Sequence, residues 1–324
     1  MLDLLKTGLG LVLGANKLSI LIYHQVLPDY DPMRPDEITA ARFDQHLDWI
    51  KSAFNVLTLD EAVNALKNRC LPPRSLVITF DDGYENNCSV ALPLLEKYGL
   101  KATFFIATDF LDGGIMWNDR IIEAMRVYPH NEIDLSWLDM GIRPIETLPE
   151  RQALAYELLP RIKHLPAEER QEEVDRICSG TDSPGGLMLS SLQVQQLHRS
   201  GMEIGGHTCS HPILAKLETS VLEREISANK EILEQLIGEP VRSFAYPNGK
   251  PEQDFDRRCL TVVEQLGYAQ ATTTAWGINT PGEDPYQLRR FTPWSKNKRG
   301  FLAQLARNRS NLPVDIRQQQ KVPA

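Results

Sequence analysis

The stretch that most constrains this chain is Val77-Ile78-Thr79-Phe80-Asp81-Asp82-Gly83-Tyr84, an apolar run that stops at two adjacent carboxylates and a glycine. Its β-branched and aromatic residues favour a buried strand. The two acids then put negative charge at the strand's end, where a cation or a proton must stabilise them. Beyond the polar Glu85-Asn86-Asn87, residues Val90 to Tyr98 have helical spacing, Gly99 marks a stop, and Ala102 to Ala107 reads as a second strand. Strand, charged turn, helix and strand make a βαβ unit, which implies a parallel sheet with its chemistry at the C-terminal strand ends.

The same rhythm runs on either side. Leu18 to Val26 is a strand pattern with His24 near its end, closed by Pro28-Asp29-Tyr30-Asp31-Pro32. Thr39 opens a helix carrying Phe43, Leu47 and Ile50, and Leu59 to Leu66 reads as a short helix opened by Asp60. Between Leu111 and Gly186 the strands disappear: Asp119 to Val127, Pro149 to Leu165 and Pro166 to Ile177 are charged amphipathic helices, so residues 111–186 are expected to be a helical insertion. The strands resume after a Ser190-x-x-Gln193 capping box, at Met202 to Gly205. Thr219 to Ile237 is a long helix with Leu222, Ile226, Leu233 and Leu236 on one stripe; a helix over Asp254 to Leu266 and strands near Tyr268 to Thr272 and Gln287 to Thr292 follow.

A chain of 324 residues, 42% hydrophobic and 24% charged, can build a large core and one α/β barrel. Its net charge of -8, with no long basic run, argues against a nucleic-acid partner. Five widely spaced cysteines without a C-x-x-C pair argue against a disulfide framework and for a reducing compartment. Residues 1–17 are expected to form an amphipathic helix, because the apolar segment there is only about seven residues, against about 20 for a spanning helix. Its leucine-rich face can pack on the protein's own body or rest on a membrane surface. The location read from this is cytoplasmic, with contact at the inner membrane face left open. The polar tail over 310–324 is expected to be mobile.

Two further turns carry functional groups. Gly206-His207-Thr208-Cys209-Ser210-His211-Pro212 sets two histidines four apart, close enough in a tight turn to face one point as metal ligands do. Arg242-Ser243-Phe244-Ala245-Tyr246-Pro247-Asn248-Gly249 is another strand ending in a turn. On residue type alone, Asp81 or Asp82 could equally cap a helix, His-x-x-x-His is a common pattern, and Cys209 reads as a small packed residue.

Together and in this order, Thr79 to Tyr84, His207 to Pro212 and Arg242 to Gly249 resemble the first three motifs of the polysaccharide deacetylase family, the NodB-homology or carbohydrate esterase family 4 fold. The resemblance spans about Leu18 to Pro293 and leaves the insertion largely unmatched. It implies a distorted (β/α) barrel related to the TIM barrel, holding a divalent metal, usually zinc, on Asp82, His207 and His211. One carboxylate and two imidazoles suit such a cation, which lowers the pKa of a bound water to about 7. Asp81 then matches the general base, the Tyr246 backbone N–H the oxyanion donor, and Arg242 the arginine that orients the base.

The chain departs from the family pattern where a C-terminal Leu-x-His is usual, since no histidine follows His211. Tyr23-His24 resembles the N-terminal motif of the permuted branch, which makes His24 the candidate general acid. The fourth motif is not recognisable, and Asp284 and Arg290 lie in its neighbourhood without an assigned role. The expected function is metal-dependent removal of N-acetyl groups from an amino-sugar glycan or glycolipid precursor. Three alternatives stay open: a non-catalytic carbohydrate-binding homologue, hydrolysis of a non-sugar amide, and an Fe(II) oxygenase site built on the same carboxylate and histidines.

Overall fold

Short apolar strands alternating with amphipathic helices bury both faces of a sheet when the strands run parallel, and in the main sheet they do. The computed structural model describes residues 16–182, 184–292 and 294–309, so the expected 310–324 tail, and the 1–17 helix apart from residues 16 and 17, lie outside them. In chain order the strands are β1 (Ser19–Tyr23), β2 (Val26–Leu27), β3 (Ile38–Thr39), β4 (Asn55–Leu57), β5 (Ser75–Phe80), β6 (Thr103–Ile106), β7 (Glu132–Asp134), β8 (Ile142–Pro144), β9 (Glu203–Gly206), β10 (Ser243–Ala245), β11 (Gln270–Trp276) and β12 (Leu288–Arg290). The main sheet has the order β1-β5-β6-β9-β10-β11-β12, with β4 beside the first half of β5.

The sheet closes on itself. The Ile22 N–H donates to the Phe291 carbonyl at 3.2 Å and the Phe291 N–H to the Ile20 carbonyl at 2.8 Å, joining the first strand to the residue after the last. The result is the nearly closed (β/α) barrel expected from the sequence. Because every pairing in this sheet is parallel, the C-terminal strand ends share one mouth, where residues 24, 81, 207, 246 and 291 follow their strands. Strands β1, β5 and β6 are buried at every residue, and Phe80 stacks on Phe104 with ring centroids 4.8 Å apart. Each such phenylalanine contributes about 2 kcal/mol by leaving water.

Helices α1 (Ala40–Ala53), α2 (Leu59–Lys67), α3 (Leu92–Tyr98), α4 (Trp117–Val127), α5 (Leu148–Ile162), α6 (Ala167–Ile177), α7 (Ser191–Arg199), α8 (Thr219–Ile237), α9 (Arg257–Gln265) and α10 (Lys298–Arg309) complete the chain. Two expectations are corrected at helix starts. Thr58, not Asp60, caps α2, in a full capping box with Glu61, and a turn of π-helix over Asn87–Ala91 precedes α3. Ser190 caps α7 through the expected box with Gln193.

The insertion holds the three expected helices, α4 to α6, packed around a core of their own that includes Ile121, Met125, Leu154, Leu158 and Val174. It also holds an antiparallel hairpin, β7 with β8, which three-residue strands are too short to announce by alternation. No helix among the described residues is long and apolar enough to cross a membrane, and the five cysteines are free thiols.

Candidate active site

Three turns at the barrel mouth bring the charged residues together. In the first, the chain leaves β5 with the Asp81 N–H on the Tyr23 carbonyl (3.0 Å) and then turns through Asp82 at φ 76° and Gly83 at φ 87°. Gly83 is required twice over, because its left-handed backbone disfavours a side chain and an added Cβ would lie 3.1 Å from Ile106 Cγ2. Neither acid caps a helix; the next one begins at Asn87.

The second turn carries the histidines. Thr208 at φ 67° and His211 at φ 54° are strained positions for residues with a Cβ, costing on the order of 1–3 kcal/mol each. Local hydrogen bonds hold them there: the His211 N–H donates to Thr208 Oγ1 at 3.1 Å, and Glu225 on α8 accepts the Cys209 and Ser210 N–H groups at 3.0 and 2.9 Å. Cys209 is packed, as its residue type suggested.

Asp82, His207 and His211 converge, their ligand atoms all within 4.8 Å of one another. His207 Nε2 lies 3.3 Å and His211 Nε2 3.4 Å from Asp82 Oδ1. His207 Nδ1 donates to the Ala245 carbonyl at 2.7 Å, which turns Nε2 towards the Asp82 carboxylate. One carboxylate oxygen and two imidazole nitrogens are the donor set a divalent cation takes, so the three residues fit a metal. Burial pushes the His211 imidazole down to about 4, keeping it neutral as a ligand must be. Against burial, the two histidines hold the Asp82 carboxyl well below its usual range.

Asp81 faces a different partner from the one expected. Arg290, fully buried on β12, grips it with both nitrogens, Nη1 to Oδ1 at 2.6 Å and Nη2 to Oδ2 at 2.7 Å. The guanidinium is itself aimed by the Thr273 carbonyl (2.8 Å to Nε) and by Thr79 Oγ1 (3.2 Å to Nη1). Burial works against the charge on Asp81, but Arg290, His207 and His24 outweigh it and hold the carboxyl below its ordinary range. Arg242 has no part in this. It precedes β10 at the opposite end of the barrel, half exposed, with Nε 3.0 Å from Asp60 Oδ1. A three-residue strand separates Arg242 from the mouth, so neighbours in the motif lie on opposite ends of the barrel.

Tyr246 does reach the mouth end of β10, but its N–H is spent on the Thr272 carbonyl at 3.2 Å and its ring is buried flat against Phe255, 4.0 Å between centroids. It therefore offers no free backbone donor. Two residues on, the Asn248 N–H in the turn has no hydrogen-bond partner among the described residues. His24 is partly exposed at the end of β1, with its carbonyl held by Asn87 Nδ2 at 2.8 Å. Just before β3, burial raises the Glu37 carboxyl to about 7.

One positioning residue had a legible signal. Asn229 occupies the buried stripe of α8 with Leu222, Ile226 and Leu233, where a polar side chain demands partners. It accepts from the His207 N–H at 3.2 Å and donates to the carbonyls of Ile106 (2.9 Å) and Thr208 (2.6 Å), tying the histidine turn to β6. Gly206 leaves room for it, since a Cβ there would sit 2.7 Å from Asn229 Oδ1 and 2.4 Å from the Tyr268 hydroxyl.

Comparison with known proteins agrees with this geometry. The family model for polysaccharide deacetylases matches residues 68–134 and 170–271, just over half of the chain, and passes over 135–169 within the insertion. YxkH of Bacillus subtilis is 22% identical over 276 residues, 85% of this chain and 70% of that protein. The poly-beta-1,6-N-acetyl-D-glucosamine N-deacetylase of Staphylococcus aureus is 38% identical over 72 residues, 22% of this chain and 25% of that enzyme. Among solved structures, the Streptococcus pyogenes deacetylase PplD superposes with a TM-score of 0.62 at 21% identity, covering 90% of this chain and 98% of that one. IcaB from Ammonifex degensii gives 0.60 at 19%, covering 91% and 98%. The likeness to both structures is one of fold. With the family model spanning the charged turns and the barrel closing around them, the chain belongs to the polysaccharide deacetylase family, hydrolases of carbon–nitrogen bonds other than peptide bonds.

Proposed function

We propose that this protein hydrolyses the acetamido group of an N-acetylated amino sugar, in a glycan or glycolipid precursor, with a divalent metal, zinc first among candidates. The observation that carries the reading is the Asp82–His207–His211 cluster beside a separate, ionised carboxylate, Asp81 on Arg290. A cation held by that cluster supplies Lewis-acid polarisation of the acetyl carbonyl and makes a water acidic enough to attack at neutral pH.

The chain's own groups do the rest. Asp81 accepts the proton of the attacking water, and Arg290 keeps it ionised and aimed. The Asn248 N–H, without a hydrogen-bond partner among the described residues, takes the place of Tyr246 as the candidate oxyanion donor. His24 protonates the departing nitrogen, so that amide and water become acetate and the sugar ammonium. The Staphylococcus aureus relative, named for poly-beta-1,6-N-acetyl-D-glucosamine, supports a glycan as the substrate. Acetate release should be measured across N-acetylated sugars and short glycans, with and without chelator. Chelator-sensitive release from at least one is the expected result; metal-loaded protein that binds these sugars yet releases no acetate would overturn the reading.

A further inference from the structure

The helical insertion does more than sit beside the barrel, because both of its ends grip the turn that carries Asp82. At the returning end, the Leu189 N–H donates to the Gly83 carbonyl and the Glu85 N–H to the Leu187 carbonyl, each at 2.9 Å, so that Tyr84 and Met188 pair antiparallel. At the leading end, the Tyr84 hydroxyl donates to Asp119 Oδ2 on α4 at 2.9 Å, and Tyr84 packs against Met116 and Met188. Burial and the neighbouring Asp119 charge keep that hydroxyl protonated, as a donor must be.

Asp119 is itself immobilised. Its other oxygen accepts from Arg34 Nη2 at 2.8 Å, and Arg34 also bonds Glu123 on the same helix. Glu123 accepts from Arg126 Nε at 2.8 Å, and Arg126 reaches Asp31 at 3.0 Å. An ionic cluster, buried at Arg34, Asp119 and Glu123, thus joins α4 to the segment after β2 and ends on a tyrosine two residues from a candidate ligand. Asp82 needs that support, because its φ of 76° is one a non-glycine residue keeps only when its surroundings impose it.

We propose that Tyr84 and Asp119 are positioning residues for the metal: through the Tyr84 hydroxyl, the insertion sets where the Asp82 carboxylate stands relative to His207 and His211. The proposal rests on the metal-dependent reading above. Neither residue touches metal or substrate; each acts on the rigidity of the turn.

The test reads metal affinity without turnover. Wild type, Tyr84→Phe, Asp119→Ala and the double variant are freed of metal, checked for native circular dichroism, and titrated with zinc against a chromophoric chelator. Each single variant should bind zinc about tenfold more weakly, as loss of an outer support does in metal sites. The double variant should be little worse than the poorer single one, because both break one path. Excess zinc should restore acetate release in Tyr84→Phe, which a collapsed site would not allow. Arg120→Ala, which removes the Arg120–Asp175 pair on another face of α4, should leave zinc affinity unchanged. A loss below about threefold in Tyr84→Phe overturns the proposal, and that variant decides alone if Asp119→Ala does not fold. Wild type that binds no divalent cation at all would instead remove the metal reading beneath it.

Discussion

Glu203 at the floor of the barrel and Asp81 at its mouth are both carboxylates drawn into the sheet, yet their partners differ in kind. Glu203, the first residue of β9, accepts from Thr103 Oγ1 (2.9 Å), the Asp60 N–H (3.0 Å) and the Ser243 hydroxyl, all neutral donors. Asp60 takes Arg242 and Gln270 in turn, each at 3.0 Å. The floor is therefore a closed network in which every acid is occupied. At the mouth, Asp81 is held ionised by a buried arginine, while Asp82 faces the Nε2 atoms of two histidines. A buried carboxylate on neutral donors at the floor serves structure, and one on a buried arginine at the mouth is available for chemistry.

Removing the arginine at each end should expose that difference most sharply. Arg290→Met strands the Asp81 charge in the core, which costs about 3–5 kcal/mol of stability, and should lower acetate release by about 10²-fold or more. Urea unfolding and initial rates measure the two effects, and a variant as active and stable as wild type would detach Arg290 from the base. His24→Gln should reduce kcat by about 10²-fold while changing stability by less than about 1 kcal/mol. Its loss should be smaller for sugars with a better leaving amine, which need less protonation.

The two carboxylates also predict opposite pH dependences of stability. The Asp81 carboxyl is held below its ordinary 3.8, so its contribution is complete above that value and is lost as pH falls through it towards the folded-state value. In Arg290→Met the buried Asp81 loses its main counter-charge and takes up a proton at higher pH, so the advantage of wild type should begin to shrink above about pH 4 and go on shrinking below it. Glu203 is raised above its ordinary 4.5, chiefly by burial, so the folded state holds its proton more tightly and loses stability as pH rises past that point. Glu203→Gln should gain on wild type as pH rises above about 4.5 in metal-free protein, and the metal-loaded variant should keep acetate release within about threefold. Denaturation midpoints across that range that move in parallel for both variants would erase the distinction between mouth and floor.

The sequence carried the barrel and the convergence of Asp82, His207 and His211 because both rest on local patterns. Strand periodicity ends where Asp81, Asp82, His207 and His211 begin, and parallel pairing alone delivers those ends to one mouth. Arg290 was visible as a nearby charge but had no local mark of its role, since its contact with Asp81 spans 209 positions and depends on closure of the sheet. Arg242 misled for the converse reason: motif order does not tell how short β10 is, and three residues carry the chain from floor to mouth. Asn229 was more accessible, as a polar residue on an apolar stripe. The Tyr84–Asp119 contact, like the β7–β8 hairpin, lies in the insertion's tertiary packing, which helical periodicity does not encode.

The smallest effect is also the most specific test of the floor. Arg242 has a half-exposed side chain and one ion pair, with Asp60, which is partly exposed as well. Exposed pairs of this kind contribute about 0–1 kcal/mol, so Arg242→Ala should shift the unfolding free energy by no more than that. Asp60 keeps Gln270 as a donor, which prevents the buried-charge cost that Arg290→Met incurs. Acetate release should stay within about twofold of wild type, and raising the salt concentration should abolish even the small stability difference. A tenfold loss of kcat in Arg242→Ala, with zinc affinity and folding intact, would mean that the floor communicates with the base through β10 and that the two ends of the barrel are not independent.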